Sequence, residues 1–273
     1  LSLKRELAAA VAIPIVLGIL FAAPPVAFQL LVAAVSLAAL YEFLRLAEKT
    51  GHRVSKTVGL GGGAAVFLAW SVFWGQGGPA DRRGLTAAVV LSLAVAGLAS
   101  VAPLLAGVEP ADALAGAAST LYGVFGVALP ATAMCALRVF SPRAVLFLFL
   151  VVWGCDSFAY YSGRLFGRHK LAPVVSPNKT WEGTIGGLIG ATLIGAAAGA
   201  WKILPELGPV RGAIAAALAS SAGQIGDLVE SLWKRGAGVK DSGFFLPGHG
   251  GFYDRIDSLL YAAPVLAVFV ATV

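Results

Sequence analysis

The residues from Ser231 to Asp257, SLWKRGAGVKDSGFFLPGHGGFYDRID, gather Lys234, Arg235, Lys240, Asp241, His249, Asp254, Arg255 and Asp257 into one glycine-broken stretch. Carboxylates at this density suit a hard divalent cation. Lysines, arginines and backbone amides freed by glycine suit phosphate oxygens. The surrounding sequence is largely apolar. Together these features predict chemistry on a phosphorylated substrate at a membrane surface.

Just upstream, GQIGDLVESLWKR sets Gln224, Asp227, Ser231 and Lys234 at helical spacing, with Glu230 beside that face. Carboxylates near a membrane boundary are costly unless they meet water, a cation or a basic partner. A plain ion pair from Asp227 or Glu230 to Lys234 is one reading. Open space at Gly223 and Gly226 beside Asp227 favours a site. Gly248, Gly250 and Gly251 allow unusual backbone angles and close approach to an anion. His249 among them is either a direct participant or an ordinary hydrogen-bonding residue. Asp254 and Asp257 lie one turn apart; they either join the site or cap the next helix, and capping suits Asp257 best.

A second constellation is CDSFAYYSGRLFGRHKLAPVVSPNKTWEG. Asp156 and Tyr160 share a helix face that continues to Gly163 and Gly167, and Arg164, Arg168 and Lys170 follow. Ser176, Asn178, Lys179 and Thr180 read as a polar turn suited to a nucleotide or a phosphate. Basic loops also serve simply as topology signals, but Asp156 within an apolar span is not explained that way. Glu42 with Arg45 reads as an ion pair on one helix, and Glu109 with Asp112 as a loop and helix start. Neither pair is assigned to a site. The chain contains no P-loop, H-E-x-x-H or G-x-S-x-G motif.

The elements that must hold these groups follow from composition. The 273 residues are 58% hydrophobic and only 12% charged, with a mean hydropathy of +0.84. A soluble domain would carry about a quarter charged residues. The expected fold is all-α, a polytopic transmembrane bundle with a polar cavity open to the cytoplasm. Nine spans are expected, at 7–23, 26–46, 58–74, 85–107, 112–137, 144–166, 184–204, 210–233 and 257–273. The third is the weakest, because Gly59, Gly61, Gly62 and Gly63 crowd its start. The first resembles a signal peptide but reads as a helix, given the many later spans. Residues 1–273 then form one membrane domain, with amino-terminal helices over 1–140 and the catalytic half over 144–273. The net charge of +6 points to topology and anionic headgroups, with no nucleic-acid partner expected. Lys and Arg are enriched on the side that holds Lys4, Arg5, Lys179 and Lys234. This orients the amino terminus and both polar loops toward the cytoplasm. Cys135 and Cys155 lie in apolar spans and read as buried small hydrophobes. Small-residue faces, as at Gly186, Gly187, Gly190, Gly195 and Gly199, suit close helix packing and make a homodimer an expectation.

At these motifs the chain resembles the phosphatidate cytidylyltransferases, or CDP-diacylglycerol synthases. Their signature has the form S-x-x-K-R, then K-D, then H-G-G-x-x-D-R-x-D. It is met here by Ser231, Lys234, Arg235, Lys240, Asp241, His249, Gly250, Gly251, Asp254, Arg255 and Asp257. DSFAYYSGRLFGR and SPNKTWEG are also similar to family segments, with Asn178 where a basic residue is more usual. The amino-terminal half matches only in hydropathy. The resemblance implies that phosphatidate and CTP give CDP-diacylglycerol and pyrophosphate with Mg²⁺; a second metal ion or a monovalent cation is left open. It implies a bacterial-type inner-membrane location. Asp227 and Asp254, joined by Asp257, are the expected metal ligands. Lys234, Lys240, His249 and Arg255 are expected to neutralise phosphates. Arg235, Ser231 and Gly250 are expected to line the substrate site, and Ser176 and Lys179 to reach nucleotide or lipid phosphate. Asp156 is expected to support the metal or orient a base. Rival expectations are a CTP-dependent lipid kinase and an ion-coupled transporter using Asp156 and Asp227.

Overall fold

Apolar runs punctuated by proline and small polar residues dictate where the helices of this protein begin. The structure is a computed structural model that describes residues 3–74, 86, 89–91, 93–95, 97–98, 101, 107–243 and 250–272. Its helices are α1 (Leu3–Ala22), α2 (Pro25–Glu48), α3 (Lys56–Trp74), α4 (Pro110–Phe140), α5 (Pro142–Phe166), α6 (Trp181–Ala200), α7 (Gly208–Gly236) and α8 (Tyr253–Ala271). A π-helical turn, Val124–Ala128, interrupts α4. Proline supplies the first residue of α2, α4 and α5, where its missing N–H is no loss. Ser141 caps α5 by accepting from Arg143 N (3.2 Å), and Thr180 caps α6 by accepting from Gly183 N (3.1 Å).

Helices α2, α4, α5, α6 and α7 are long and apolar enough to cross a membrane. The expected all-α membrane architecture is what the described residues form. Most of the expected span 85–107 lies outside them. Two boundaries differ from expectation. Ser176–Thr180, read as a turn, is a strand, β2, antiparallel to β1 (Lys170–Ala172). The last helix starts at Tyr253 rather than 257, because Asp254 in its first turn accepts from Gly251 N at 2.7 Å. Asp257 is therefore a second-turn residue and not a cap.

Packing divides the chain into two units. The first comprises Leu1–Cys135 with Trp233–Ile256, and the second Ala136–Leu232 with Asp257–Val273. In the first unit, Leu40, Phe43 and Leu44 of α2 are fully buried. Phe43 meets Trp233 edge-on (4.8 Å between centroids) and Tyr253 likewise (5.7 Å), while Tyr122 lies 5.1 Å from Trp233. Of the glycines that weaken α3 on paper, Gly61 faces open space but the others are contact points: a Cβ on Gly62 would lie 2.7 Å from Val95, and one on Gly63 2.6 Å from Leu40.

In the second unit, glycine again sets helix spacing. A Cβ on Gly187 of α6 would come within 2.9 Å of Ala159 and of the Cys155 carbonyl on α5. On α7, one on Gly226 would lie 2.6 Å from the Asp257 carbonyl of α8. These close approaches are the means by which carboxylates on separate helices are brought together. Cys135 and Cys155 are buried free thiols.

Candidate active site

In the second unit, α5, β2, α6 and α7 enclose a cavity of about 590 Å³, a size suited to a small-molecule ligand. Asp156, Tyr160 and Gly163 line it from α5, one turn apart as the sequence spacing requires. Asn178 and Lys179 come from β2, and Gln224 and Asp227 from α7. Lys179 forms an ion pair with Asp227. Gln224 donates to the Thr184 carbonyl (3.4 Å), and Arg164 to the Tyr160 hydroxyl (3.4 Å). The wall thus carries cationic, anionic and amide groups.

The hairpin that presents Lys179 is held at its root by Glu182, in the first turn of α6. Glu182 accepts from the backbone N–H of Arg168 (3.1 Å) and His169 (3.3 Å), and meets His169 Nδ1 at 2.6 Å. The Trp181 N–H donates to the His169 carbonyl (3.0 Å). Short strands with these anchors leave no periodic signal in sequence, which is why the segment reads as a turn.

Below the ion pair, Asp227, Glu230 and Asp257 each offer a carboxylate oxygen, all within 4.8 Å of one another. Asp227 and Glu230 lie on one face of α7, and Asp257 is contributed by α8, where its Oδ1 accepts from Ser258 N (2.6 Å). Glu230 is buried, only 1% exposed. Like charges this close are unfavourable unless a cation or a proton intervenes. Three hard oxygen donors fit a divalent ion such as Mg²⁺. Glu230 entered the sequence reading only as a neighbour of this face; its burial beside two aspartates is what distinguishes it.

The first unit holds a different arrangement. Asp254 accepts from Lys234 Nζ (2.8 Å), Ser242 N (3.0 Å), Ser242 Oγ (2.9 Å) and Gly251 N (2.7 Å). Gly250 adopts φ +76°, and a Cβ there would lie 2.6 Å from Asp254 Oδ2. The anion that glycine-freed backbone approaches here is Asp254 itself. Asp254 is not among the three carboxylates of the second unit, and Lys234 pairs with it. Arg235, Lys240 and Arg255 are exposed, Ser176 is half-buried on β2, and Ser231 is buried on α7. His249 lies outside the described residues. Glu42, read as half of an ion pair with Arg45, is buried and accepts from Tyr253 N at 2.9 Å. Arg45 lies over the ring of Tyr41.

The profile of the cytidylyltransferase family matches residues 3–273. The chain belongs to that family. Among its relatives, the phosphatidate cytidylyltransferase of Haemophilus influenzae is 48% identical over 128 residues, covering 46% of this chain and 44% of the relative. That of Staphylococcus saprophyticus is 47% identical over 132 residues, 45% of this chain and 47% of the relative. That of Brucella abortus is 46% identical over 158 residues, 54% of this chain and 55% of the relative. The matched stretches thus span about half the length of these curated relatives.

Proposed function

We propose that this family member is a phosphatidate cytidylyltransferase, transferring CMP from CTP to phosphatidate to give CDP-diacylglycerol and pyrophosphate. The observation that carries the proposal is the match of the whole chain to the cytidylyltransferase family. The cavity lined by Lys179 and Asp227 beside the Asp227, Glu230 and Asp257 cluster agrees with it chemically. The proposed orientation puts this site at the cytoplasmic face of a bacterial-type inner membrane, where CTP arrives from water while phosphatidate keeps its tails in the bilayer.

In the proposed reaction an oxygen of the lipid phosphate attacks the α-phosphorus of CTP in line. The new P–O bond forms as the bond to the bridging α–β oxygen breaks, and pyrophosphate leaves with that electron pair. A phosphate monoester has its second pKa near 6, so the nucleophile is largely ionised at neutral pH and no dedicated base is required. The work left to the protein is positioning and charge neutralisation.

Asp227, Asp257 and Glu230 would hold Mg²⁺, which when bound neutralises phosphate charge. Asp254 is proposed to contribute through the Lys234 it orients and, as the family resemblance suggests, as a further metal ligand. Lys179 and Ser176 on β2 would bind nucleotide or lipid phosphate. Lys234, Lys240, Arg255 and His249 would neutralise the triphosphate and pyrophosphate. Arg235, Ser231 and Gly250 would line the substrate, and Asp156 would orient Lys179.

The test uses purified protein in mixed micelles with phosphatidate, Mg²⁺ and CTP labelled separately in the cytidine and the γ-phosphate. Cytidine label in lipid with γ-label in pyrophosphate is expected. Label from the γ-phosphate in lipid would overturn the proposal in favour of a kinase.

A further inference from the structure

Glu42 is a buried acid of the first unit to which the proposed chemistry gives no task, and its surroundings are specific. It lies on α2 at 2% exposure. A carboxylate is buried to that extent only where polar partners compensate. Its Oε2 accepts from Tyr253 N (2.9 Å) and from Ser242 Oγ (3.4 Å), a contact spanning 200 residues of sequence. Glycines make room for it on both sides: a Cβ on Gly243 would strike Oε1, and one on Gly251 would strike Oε2. The carboxylate is therefore gripped by Ser242 and Gly243 on one side and by Gly251 and Tyr253 on the other.

Those same residues hold Asp254. Ser242 supplies it with both a backbone and a hydroxyl donor, and Gly251 with a backbone donor. Tyr253 immediately precedes it. One residue further along α2, Phe43 packs against both Tyr253 and Trp233, the neighbour of Lys234. Residues 42 and 43 thus contact the immediate sequence neighbours of each partner in the Lys234–Asp254 pair.

We propose that Glu42 is a positioning residue for the reaction, clasping Ser242 to Tyr253 so that Asp254 and Lys234 keep their working geometry. The catalytic part of this inference rests on the cytidylyltransferase proposal; the clasp itself does not. Glu42 touches neither substrate nor the reacting atoms. What it controls is the placement of groups that do, where a misplacement of about 1 Å costs on the order of 100-fold in rate.

The experiment compares Glu42→Ala, Glu42→Gln and wild-type full-length protein in detergent, by steady-state cytidylyl transfer and by hydrogen exchange at Tyr253. In Glu42→Ala, kcat should fall on the order of 10- to 100-fold, while KM for CTP rises by a smaller factor, because of the phosphate-directed groups only Lys234 is displaced and Lys179 and Ser176 on β2 are untouched. Exchange at the Tyr253 amide should accelerate. Glu42→Gln keeps an acceptor oxygen and should restore both kcat and protection. A folded Glu42→Ala protein with wild-type kcat would overturn the positioning role. So would Glu42→Gln as impaired as Glu42→Ala. Where the alanine variant does not fold, Glu42→Asp, which withdraws the oxygens by one methylene, should show the same split between kcat and KM. Absence of cytidylyl transfer in the wild type would sink the proposed reaction alone. Unchanged Tyr253 exchange in the variants would sink the clasp alone.

Discussion

Two groups of carboxylates in this protein face opposite electrostatic situations. In the first unit, Asp254 is surrounded by donors: an ammonium, a hydroxyl and two backbone amides. In the second, Asp227, Glu230 and Asp257 bring three carboxylate oxygens within 4.8 Å of one another, with Lys179 meeting Asp227 from the hairpin. The first arrangement organises backbone. The second stores like-charge repulsion that a divalent cation would relieve. Residue type alone does not separate these two settings; the donors around Asp254 and the proximity of the other three carboxylates do.

The largest expected effect comes from breaking the second group. Asp227→Asn or Asp257→Asn should lower cytidylyl transfer by about 10³-fold or more, in keeping with lost electrostatic stabilisation of a transferring phosphoryl group. Each variant should remain folded by size-exclusion chromatography. Wild type is expected to melt higher with Mg²⁺, a linkage effect of about 2.7 kcal/mol at 100 times Kd, and that shift should vanish in both.

Asp254→Asn sharpens the contrast. Lys234 and Asp254 have side chains only 14% and 10% exposed. Removing one charge strands the other, at a cost of about 3 kcal/mol. Thermal melting should show this loss without Mg²⁺. A Mg²⁺-induced shift retained in Asp254→Asn would restrict its role to orienting Lys234. A lost shift would make it a ligand as well.

Lys179→Met should act more mildly, raising KM for CTP about tenfold with the protein intact, as expected for removing one phosphate-directed charge. The smallest effect belongs to His169→Ala. Its contact with Glu182 is exposed, and exposed pairs contribute little. Initial rates should stay within about twofold of wild type, because backbone amides still anchor the hairpin to Glu182.

Much of the second unit is legible in sequence because its logic is local. Helical spacing puts Asp227 and Glu230 side by side on α7, and Asp156 and Tyr160 on one face of α5. The residue types of Ser231–Asp257, a stretch mostly in the first unit, point to the family before any fold is known. What is not legible depends on distant or weakly patterned contacts. Glu42 looks like half of an i,i+3 ion pair until Tyr253 and Ser242 are seen beside it. β2 is too short for alternation to register. Asp257 looks like a helix cap because the glycines at 250 and 251 obscure a helix start at Tyr253. The glycine-rich start of α3 reads as weakness, whereas Gly62 and Gly63 are where Val95 and Leu40 fit.

The contact between Glu42 and Ser242 has a consequence for the making of the protein. Chains are synthesised at about 5–20 residues per second. The 200 residues that separate this pair therefore take about 10–40 seconds to appear. Throughout that interval an apolar helix carries an acid whose clasp has not yet been translated. During biogenesis α2 must shelter that acid by other means, with water or a proton, until the ribosome delivers Ser242 and Tyr253.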